Sequence, residues 1–271
     1  MKAVILARGA GTRMRQSDAG VDLTPAQRLA ASTGQKAMMP IGASAPRPFL
    51  DYVISAVADA GCRDVCLVVA PDHDAIRRHY TVDARPRRVT ITFAVQDEPL
   101  GTAHAVRAAE AFANAEPFLV LNADNLYPTD VLRALVHLDG PGLPGFERDA
   151  LVAESGFPAS RVAAFALLDV DDAGRLRRIV EKPGDAQMAA AGPRALISMN
   201  VWRFDHRIFE ACRRVPRSAR GEFELPEAVG WAVRAGTPFV VVPARGAVLD
   251  LSRRGDVAAV ARRLADLEPC P

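Results

Sequence analysis

The sequence is poor in features that mark several specialised classes of protein. Its four cysteines among 271 residues lack zinc-site spacing and are too few for a disulfide scaffold, so we expect a reducing, cytoplasmic location. No apolar run reaches the length of about 18 residues that a membrane span needs, so we expect neither a span nor a signal peptide. The formal net charge of +2 gives no reason to expect nucleic-acid binding.

Lysine is also scarce, because it supplies three of the 34 basic residues and arginine supplies the rest. The three are Lys2, Lys36 and Lys182. A compact ammonium contacts a phosphate differently from a planar guanidinium, so a retained lysine can indicate a position where arginine does not fit. Lys36 and Lys182 lie in motif-like surroundings and are candidate phosphate-binding residues, whereas Lys2 is interpreted as a chance survival.

What the first half does contain is an alternation of apolar runs and amphipathic segments. Strands are predicted at 2–6, 65–70, 89–95 and 118–121, and helices at 24–31, 48–60, 72–80 and 102–113. This alternation predicts right-handed βαβ units and a mostly parallel sheet, which is the α/β class.

The second half changes character. We predict a loop at 140–145, strands at 161–170, 175–180, 195–204, 239–243 and 248–251, and helices at 222–235 and 255–267. A hairpin turn joins the first two of these strands. We interpret residues 1–271 as one unit, with a first half over about 1–138, a smaller antiparallel-containing half over about 139–250 and a C-terminal helix at 251–271.

A glycine-containing stretch follows the first strand at once. Gly9 and Gly11 let the chain turn sharply and bring backbone N–H groups close to an anion. Thr12 adds a hydroxyl donor, and Arg13 adds a forked cation that suits phosphate oxygens. In parallel sheets ligands bind beyond the carboxyl ends of the strands, where this stretch, residues 96–101 and Asp124 all fall. The position therefore favours an anion-binding site over a simple turn.

Seven motifs in a fixed order carry a family resemblance. They are Leu6-Ala7-x-Gly9-x-Gly11-Thr12-Arg13-Met14, Lys36-x-Met38-x-Pro40, Pro99-Leu100-Gly101-Thr102-Ala103, Asn122-Ala123-Asp124-Asn125, Glu181-Lys182-Pro183, Gly221-Glu222-Phe223-Glu224-Leu225 and Leu249-Asp250. The set resembles the sugar-1-phosphate nucleotidylyltransferase family from the first strand to Asp250. The resemblance implies a Rossmann-like fold, and formation of an NDP-sugar and pyrophosphate from an NTP and a sugar 1-phosphate with Mg²⁺. It also implies that the half at about 1–138 binds the nucleotide and that the half at about 139–250 binds the sugar phosphate.

The resemblance also implies roles for individual residues. The expected catalytic residues are Arg13, Lys36 and Asp124, and the expected Mg²⁺ ligands are Asp124 and Asp250. The nucleotide is expected to contact Leu6, Ala7, Gly9, Ala10, Gly11, Thr12, Arg13, Gln96, Pro99, Leu100, Gly101 and Thr102. The sugar phosphate is expected to contact Asn125, Glu181, Lys182, Asn200 and Glu222, the last of which is also expected to cap the helix at 222–235. Asp124 and Asp250 as helix caps, and Asn200 as a backbone-satisfied residue, are the structural alternatives.

The motifs leave the nucleobase open. Gln96 matches the position at which thymidylyl- and uridylyltransferases of the family carry a base-reading glutamine, and its amide suits the edge of uracil or thymine. The sequence Glu98-Pro99-Leu100-Gly101-Thr102-Ala103 resembles instead the guanylyltransferase version of the loop. We favour UTP or dTTP over GTP.

Three departures from the family pattern bear on specificity. Arg8 replaces the usual first glycine, and the segment between Arg13 and Lys36 is longer than in many relatives, so it is a candidate lid, oligomer contact or specificity element. Phe165-Ala166 replaces the usual Tyr-Gly, which favours a modified sugar or a cyclitol phosphate as an alternative to plain glucose 1-phosphate.

Other functions remain as alternatives. They are a guanylyl- or adenylyltransferase, a GT-A-like glycosyltransferase and a non-catalytic paralogue that binds an NDP-sugar. The triphosphate-type loop argues against the glycosyltransferase, and retention of Lys36, Asp124, Lys182 and Asp250 argues against the paralogue. A homo-oligomer is an expectation by analogy with relatives alone.

Overall fold

The structure, a computed structural model, describes residues 1–16, 20–42 and 45–271. Its strands are β1 (Lys2–Leu6), β2 (Pro40–Ile41), β3 (Arg47–Pro48), β4 (Asp64–Val69), β5 (Thr90–Val95), β6 (Phe118–Asn122), β7 (Asn125–Leu126), β8 (Gly142–Glu147), β9 (Leu167–Val170), β10 (Leu176–Val180), β11 (Leu196–Ile197), β12 (Val201–Phe204), β13 (Val240–Ala244) and β14 (Leu249–Asp250). Its α-helices are α1 (Thr12–Arg15), α2 (Pro25–Thr33), α3 (Phe49–Asp59), α4 (Asp74–Arg78), α5 (Thr102–Ala108), α6 (Glu110–Ala113), α7 (Thr129–Val136), α8 (Arg148–Ser155), α9 (Ala159–Val162), α10 (Asp185–Ala191), α11 (Arg207–Arg214), α12 (Leu225–Arg234) and α13 (Asp256–Arg263). Among the described residues, no helix has both the length and the apolar character needed to cross a membrane.

One sheet organises these elements. Its strand order is β10-β9-β11-β8-β12-β6-β1-β4-β5, and β13 also pairs with β8. The strands β6, β1, β4 and β5 are parallel, whereas β12 runs antiparallel to β6 and begins the mixed part of the sheet. The predicted α/β class, with a parallel centre and an antiparallel-containing second part, is confirmed.

The central strand β1 is buried on both faces. Ala3 and Ile5 belong to one apolar cluster and Val4 to the other, as the alternation of side chains along a strand requires. Leu6 lies in register with Val68 of β4 and Asn122 of β6. Because these strands end at the same edge, the segments that follow β1 and β6 are brought together there.

The glycine-rich stretch at 140–145 was predicted to be a loop, and this is wrong over most of its length. Residues from Gly142 onward form β8, which pairs with β11, β12 and β13. A Cβ atom on Gly142 would lie 2.6 Å from the carbonyl oxygen of Val240, and one on Gly145 would lie 2.9 Å from Val241 Cγ1. Glycine is therefore required here by the close approach of β13, a cause that is not visible in the local sequence.

Three predicted elements are shorter or divided in the structure. Residues 161–165 were predicted to be strand, but Arg161 lies in helix α9 and the strand begins at Leu167. The strand predicted at 195–204 is interrupted at Asn200, whose φ of 58° is incompatible with an extended chain. The helix predicted at 102–113 breaks at Ala109 into α5 and α6.

A buried carboxylate holds α3 against its neighbours. Asp51 is fully buried and accepts hydrogen bonds from Arg47 Nε (2.8 Å), Tyr80 Oη (2.8 Å) and the ring of His79 (3.1 Å). Burial alone would raise the pKa of Asp51, but the hydrogen bonds outweigh it and the pKa lies below its ordinary value. The network thus joins α3, the segment before it and the π-helical turn at His79–Asp83.

We predict that Asp51→Asn lowers the free energy of unfolding by about 3–5 kcal/mol, because it removes one partner from a buried charged network. Since the folded pKa of Asp51 is lowered, its contribution is present at neutral pH and is lost as the pH falls below about 4. Urea denaturation at neutral and acidic pH measures both effects.

Asp59→Asn on the same helix is the matched control, since Asp59 pairs with Arg88 near the surface and its loss should cost less than about 1 kcal/mol. Equal losses in the two variants would contradict the assignment.

Candidate active site

The glycine stretch after β1 is closed by a direct backbone contact with the residues that precede Lys36. Gly11 has a φ of 62°, and a Cβ atom there would lie 2.2 Å from the carbonyl oxygen of Gly34. Gly34 ends α2, which begins with the predicted Thr24 cap and Pro25. The long segment between Arg13 and Lys36 therefore packs against the glycine stretch, although its residues 17–19 lie outside the described residues.

A basic side chain from the end of the chain supports the short helix α1. Arg254 donates from Nε to the carbonyl oxygen of Met14 (3.0 Å) and from Nη2 to that of Arg15 (3.3 Å). Cations at a helix C-terminus satisfy carbonyl groups that have no partner within the helix. Arg13 lies on the same helix with its side chain exposed.

A cleft with a volume of about 350 Å³ lies at the carboxyl ends of β1, β4, β5 and β6. Its lining residues are Leu6, Ala7, Arg8, Gly9, Ala10, Thr12, Gly34, Gln35, Lys36, Ala37, His73, Ala75, Ile76, Gln96, Pro99, Gly101, Thr102, Ala105, Asn122, Ala123, Asp124 and Glu222. The structure thus brings together at one sheet edge the glycine stretch, the Lys36 segment, the segment 96–102 and Asp124.

One end of the cleft is formed by Gln96 and Arg8. Gln96 is 3% exposed and donates from Nε2 to the carbonyl oxygen of Gly101 (3.0 Å). Arg8 donates from Nε to the carbonyl oxygen of Gln96 (3.0 Å) and from Nη2 to that of Asp97 (3.2 Å). Arg8 therefore ties the end of β1 to the end of β5, which explains how an arginine is accommodated in this stretch.

The other end of the cleft carries an ion pair between Lys36 Nζ and Asp124 Oδ2. About one-fifth of each side chain is exposed. Asp124 follows β6, and its carbonyl oxygen accepts a hydrogen bond from the N–H of Leu251 (2.9 Å). The antiparallel pair β7–β14 places Asn125 opposite Asp250, so the two aspartates come from adjacent segments.

Asp250 is held by side chains that sequence reasoning did not identify. Arg161 Nη2 donates to its Oδ2 (2.9 Å) and also pairs with Asp256, while Ser252 donates to its Oδ1. Burial raises the pKa of Asp250, and the negative charge of Asp124 raises it further. Two carboxylates on adjacent segments form a donor set that suits a divalent cation. The described residues contain no cluster of three or more His, Cys, Asp or Glu side chains with metal-binding geometry.

A second cavity, of about 180 Å³, adjoins the cleft. Its lining residues are Thr102, Val120, Asn122, Glu181, Asn200, Trp202, Arg220, Glu222, Glu224, Leu225 and Pro226. Thr102, Asn122 and Glu222 line both cavities. A ligand with one part in each cavity would therefore pass over these three residues.

The shared wall is built by two segments that run side by side. The N–H of Phe223 donates to the carbonyl oxygen of Leu100 (2.7 Å), and the N–H of Ala103 donates to that of Phe223 (2.9 Å). A Cβ atom on Gly101 would lie 2.5 Å from the Phe223 carbonyl oxygen, so only glycine allows this approach. Glu222 is thereby fixed between the two cavities.

The prediction that Glu222 caps the following helix is wrong. Helix α12 begins at Leu225, and Glu224 occupies the N-cap position. The N–H of Leu225 donates to Oγ1 of Thr102 (2.9 Å), so a threonine from the other segment satisfies the start of the helix. Glu224 instead pairs with Arg220 (2.7 Å).

Two residues of the predicted sugar-phosphate site have a backbone conformation that is uncommon for their type. Lys182 has a φ of 47° and Asn200 a φ of 58°. A left-handed conformation at a residue other than glycine costs about 1–3 kcal/mol and is concentrated at functional sites. The pKa of Glu181 is raised, first by partial burial in the cavity and then by the charges of Glu224 and Glu227.

Not every predicted site residue lines a cavity in the described part of the chain. Arg13 and Lys182 are exposed beside the cavities, and Asn125 is buried in β7. The others outside the linings are Gly11, Leu100 and Asp250. Phe165 and Ala166 are also absent from both linings, so the methyl group of Ala166 does not shape the second cavity.

Several lining residues were missed by sequence reasoning. His73 lies just beyond β4, so the rule that sites form at carboxyl ends of strands could have found it. Gly34 and Gln35 directly precede the Lys36 motif, and Arg220 and Glu224 flank Glu222. Trp202, which is 1% exposed in the floor of the second cavity, had no signal beyond its place in an apolar strand.

Comparisons with known proteins give a consistent result. A family model described as nucleotidyl transferase matches residues 2–253. A glucose-1-phosphate thymidylyltransferase of Streptomyces antibioticus is 30% identical, over 99% of this chain and 68% of that protein. A UTP–glucose-1-phosphate uridylyltransferase of Haloferax volcanii is 27% identical, over 98% of this chain and 97% of that protein. The crystal structure of a UDP-glucose pyrophosphorylase complexed with UDP-glucose superimposes with a TM-score of 0.73 at 17% identity and covers 97% of both chains, which shows the shared fold.

We predict that Gly11→Ala lowers the free energy of unfolding by about 1–3 kcal/mol, because the added methyl group would collide with the backbone of Gly34. Urea denaturation measures this loss. Gly9→Ala is the matched control, since a Cβ atom on Gly9 would meet nothing within 4 Å. If Gly9→Ala is destabilised as much as Gly11→Ala, the contact between the glycine stretch and Gly34 is not what fixes the loop.

Proposed function

The chain belongs to the nucleotidyl transferase family, and on that basis we propose that it transfers a nucleotidyl group from an NTP to a sugar 1-phosphate. A phosphate oxygen of the acceptor attacks the α-phosphorus, the bond from that phosphorus to the bridging oxygen breaks, and pyrophosphate leaves. The observation that carries the proposal is the pair of adjoining cavities, with Lys36 and Asp124 in the first and Thr102, Asn122 and Glu222 shared. Two substrates that must react end to end need such an arrangement.

The residues of the glycine stretch suit the triphosphate. The backbone N–H groups around Gly9 and Gly11, the hydroxyl of Thr12 and the exposed guanidinium of Arg13 offer donors at one sheet edge. Arg13 is positioned to neutralise the leaving pyrophosphate. Lys36 exchanges its contact with Asp124 for the α-phosphate as negative charge moves during attack.

Asp124 and Asp250 would hold Mg²⁺, which prefers one or two carboxylates together with phosphate oxygens and water. When bound, the cation supplies charge neutralisation at the reacting phosphates. The contacts of Arg161 and Ser252 hold the Asp250 carboxylate in place.

The second cavity suits the sugar phosphate. Glu181, Asn200 and Glu222 offer acceptors and donors to sugar hydroxyl groups. The exposed Lys182, which follows Glu181 in the chain, suits the phosphate. Asn125, buried in β7 next to Asp124, remains the fifth residue expected to contact the sugar phosphate. Neither Phe165 nor Ala166 lines this described cavity, so the alternative of a modified sugar or a cyclitol phosphate rests on the sequence alone.

We favour a pyrimidine nucleotide, UTP or dTTP. Gln96 follows β5 and Asp124 follows β6, so β1 and β4 separate the proposed base reader from the Lys36–Asp124 pair. The uridylyl- and thymidylyltransferases named above are similar over most of this chain. A guanylyltransferase remains the second candidate, because residues 98–103 resemble that version of the loop.

The first test is pyrophosphate release with Mg²⁺ and glucose 1-phosphate against UTP, dTTP, GTP, ATP and CTP. We expect turnover with UTP or dTTP. A preference for GTP or ATP would keep the reaction and overturn the base assignment. If all five are bound but none is turned over, the acceptor is a different phosphate, and if none is bound, the proposed function is wrong.

We predict that Lys36→Ala lowers kcat by a factor on the order of 10²–10³, because it removes one contact to the charge that develops in the transition state. Lys36→Arg should also lose most activity, since a longer, planar guanidinium contacts the α-phosphate with a different geometry from a compact ammonium. Steady-state pyrophosphate release measures both.

Lys2→Arg is the matched control for these variants. Lys2 pairs with Glu116 (2.7 Å) at the start of β1, the opposite end of the strand from the cleft. The same change of lysine to arginine should therefore leave kcat unaltered there. Full activity in Lys36→Ala would remove Lys36 from the mechanism.

A further inference from the structure

A histidine outside both cavities contacts the side chain that reads the base in the proposed function. His104 lies on α5, and its Nδ1 is 3.2 Å from Nε2 of Gln96. The same Nε2 is 3.0 Å from the carbonyl oxygen of Gly101. Two groups from the start of α5 therefore meet one atom of the Gln96 amide.

These contacts determine which way the amide faces. A backbone carbonyl only accepts hydrogen bonds, so the NH₂ group of Gln96 must point toward Gly101. His104 Nδ1 then accepts the second N–H bond of the same group, which places the ring proton on Nε2. Both donors of Gln96 are used, and Oε1 is the polar atom left for a ligand in the cleft.

The backbone on both sides prevents the amide from adjusting freely. The N–H of Gln96 donates to the carbonyl oxygen of Val69 (2.9 Å), and Arg8 holds the Gln96 carbonyl oxygen. Gly101 is fixed by its close approach to Phe223. The side chain of Gln96 is 3% exposed, so a reversed amide would leave buried polar groups unsatisfied.

We propose that His104 is a positioning residue that locks Gln96 with its oxygen toward the nucleotide, so that the site selects bases that present an N–H donor. Uracil and thymine present N3–H at the corresponding edge, and guanine presents N1–H. Cytosine presents an acceptor at N3 and is rejected, because two acceptors would face each other. This inference rests on the proposed function, since it assumes that Gln96 contacts the base.

The test compares two substitutions of similar size at one position. His104→Asn keeps an acceptor close to the place of Nδ1, whereas His104→Leu has none. For each variant, kcat/KM is measured with UTP and with CTP, which differ at the edge that Gln96 would read. Dissociation constants for the same two nucleotides are measured by titration calorimetry, so that the readout does not depend on turnover.

We expect His104→Leu to lower the preference for UTP over CTP by about twofold to tenfold, the range that one hydrogen bond supports. His104→Asn should keep the wild-type ratio. His104→Ala is a second variant without an acceptor, for use if the leucine side chain prevents folding. A purely structural role would lower activity with both nucleotides and leave their ratio unchanged.

Three results would overturn the proposal. The first is an unchanged UTP-to-CTP ratio of kcat/KM in the leucine and alanine variants. The second is a fall of this ratio in the asparagine variant as large as that in the leucine variant. The third is a preference of the wild-type protein for CTP. Failure of the proposed function has a different signature, because the wild-type protein would then release no pyrophosphate with any nucleotide. In that case the ratio of the two dissociation constants still decides whether His104 sets the orientation of Gln96.

Discussion

The ion pair between Lys36 and Asp124 is the contact on which the arrangement of the candidate site depends. It joins residues 88 positions apart, one from the segment after α2 and one from the end of β6. Without ligand, each group neutralises the other in a cleft where a lone charge would be costly. In the proposed function, a phosphate that enters the cleft offers Lys36 a second anion, and a cation would offer Asp124 a replacement partner. The pair therefore holds the two side chains against each other at the site where those contacts are proposed.

The supports of this pair come from distant parts of the chain. Gly34 packs against the glycine stretch, Arg254 holds the end of α1, and Arg161 holds Asp250 beside Asp124. Gly34 lines the cleft itself, whereas Arg254 and Arg161 are absent from the linings of both described cavities and act by holding neighbouring segments. Gly34 and Gln35, at the end of the long segment before Lys36, thus form part of the wall of the cleft.

Much of the parallel half was predictable, because hydrophobic runs and turns there are determined locally. The strands at 2–6 and 118–121 needed no distant information, and the rule for strand ends placed the glycine stretch, Gln96 and Asp124 together. Prediction failed where distant contacts override local preference. Gly142 and Gly145 are residues typical of loops, but here the absence of a side chain allows β13 to pair closely with β8. Arg161 lies in a helix and pairs with Asp250 and Asp256, which lie 89 and 95 positions away.

The two cavities are not independent, because one pair of segments forms the wall between them. The backbone hydrogen bonds of Phe223 fix both Gly101 and Glu222. On the side of the first cavity, the carbonyl oxygen of Gly101 orients Gln96. Glu222 lies on the side of the second cavity. Thr102 contributes to both cavities and also satisfies the start of α12. A substitution that shifts this wall to admit a larger sugar would therefore displace the acceptor that holds Gln96. If Gln96 contacts the base and the second cavity holds the sugar, as proposed, these backbone hydrogen bonds couple base preference to sugar preference.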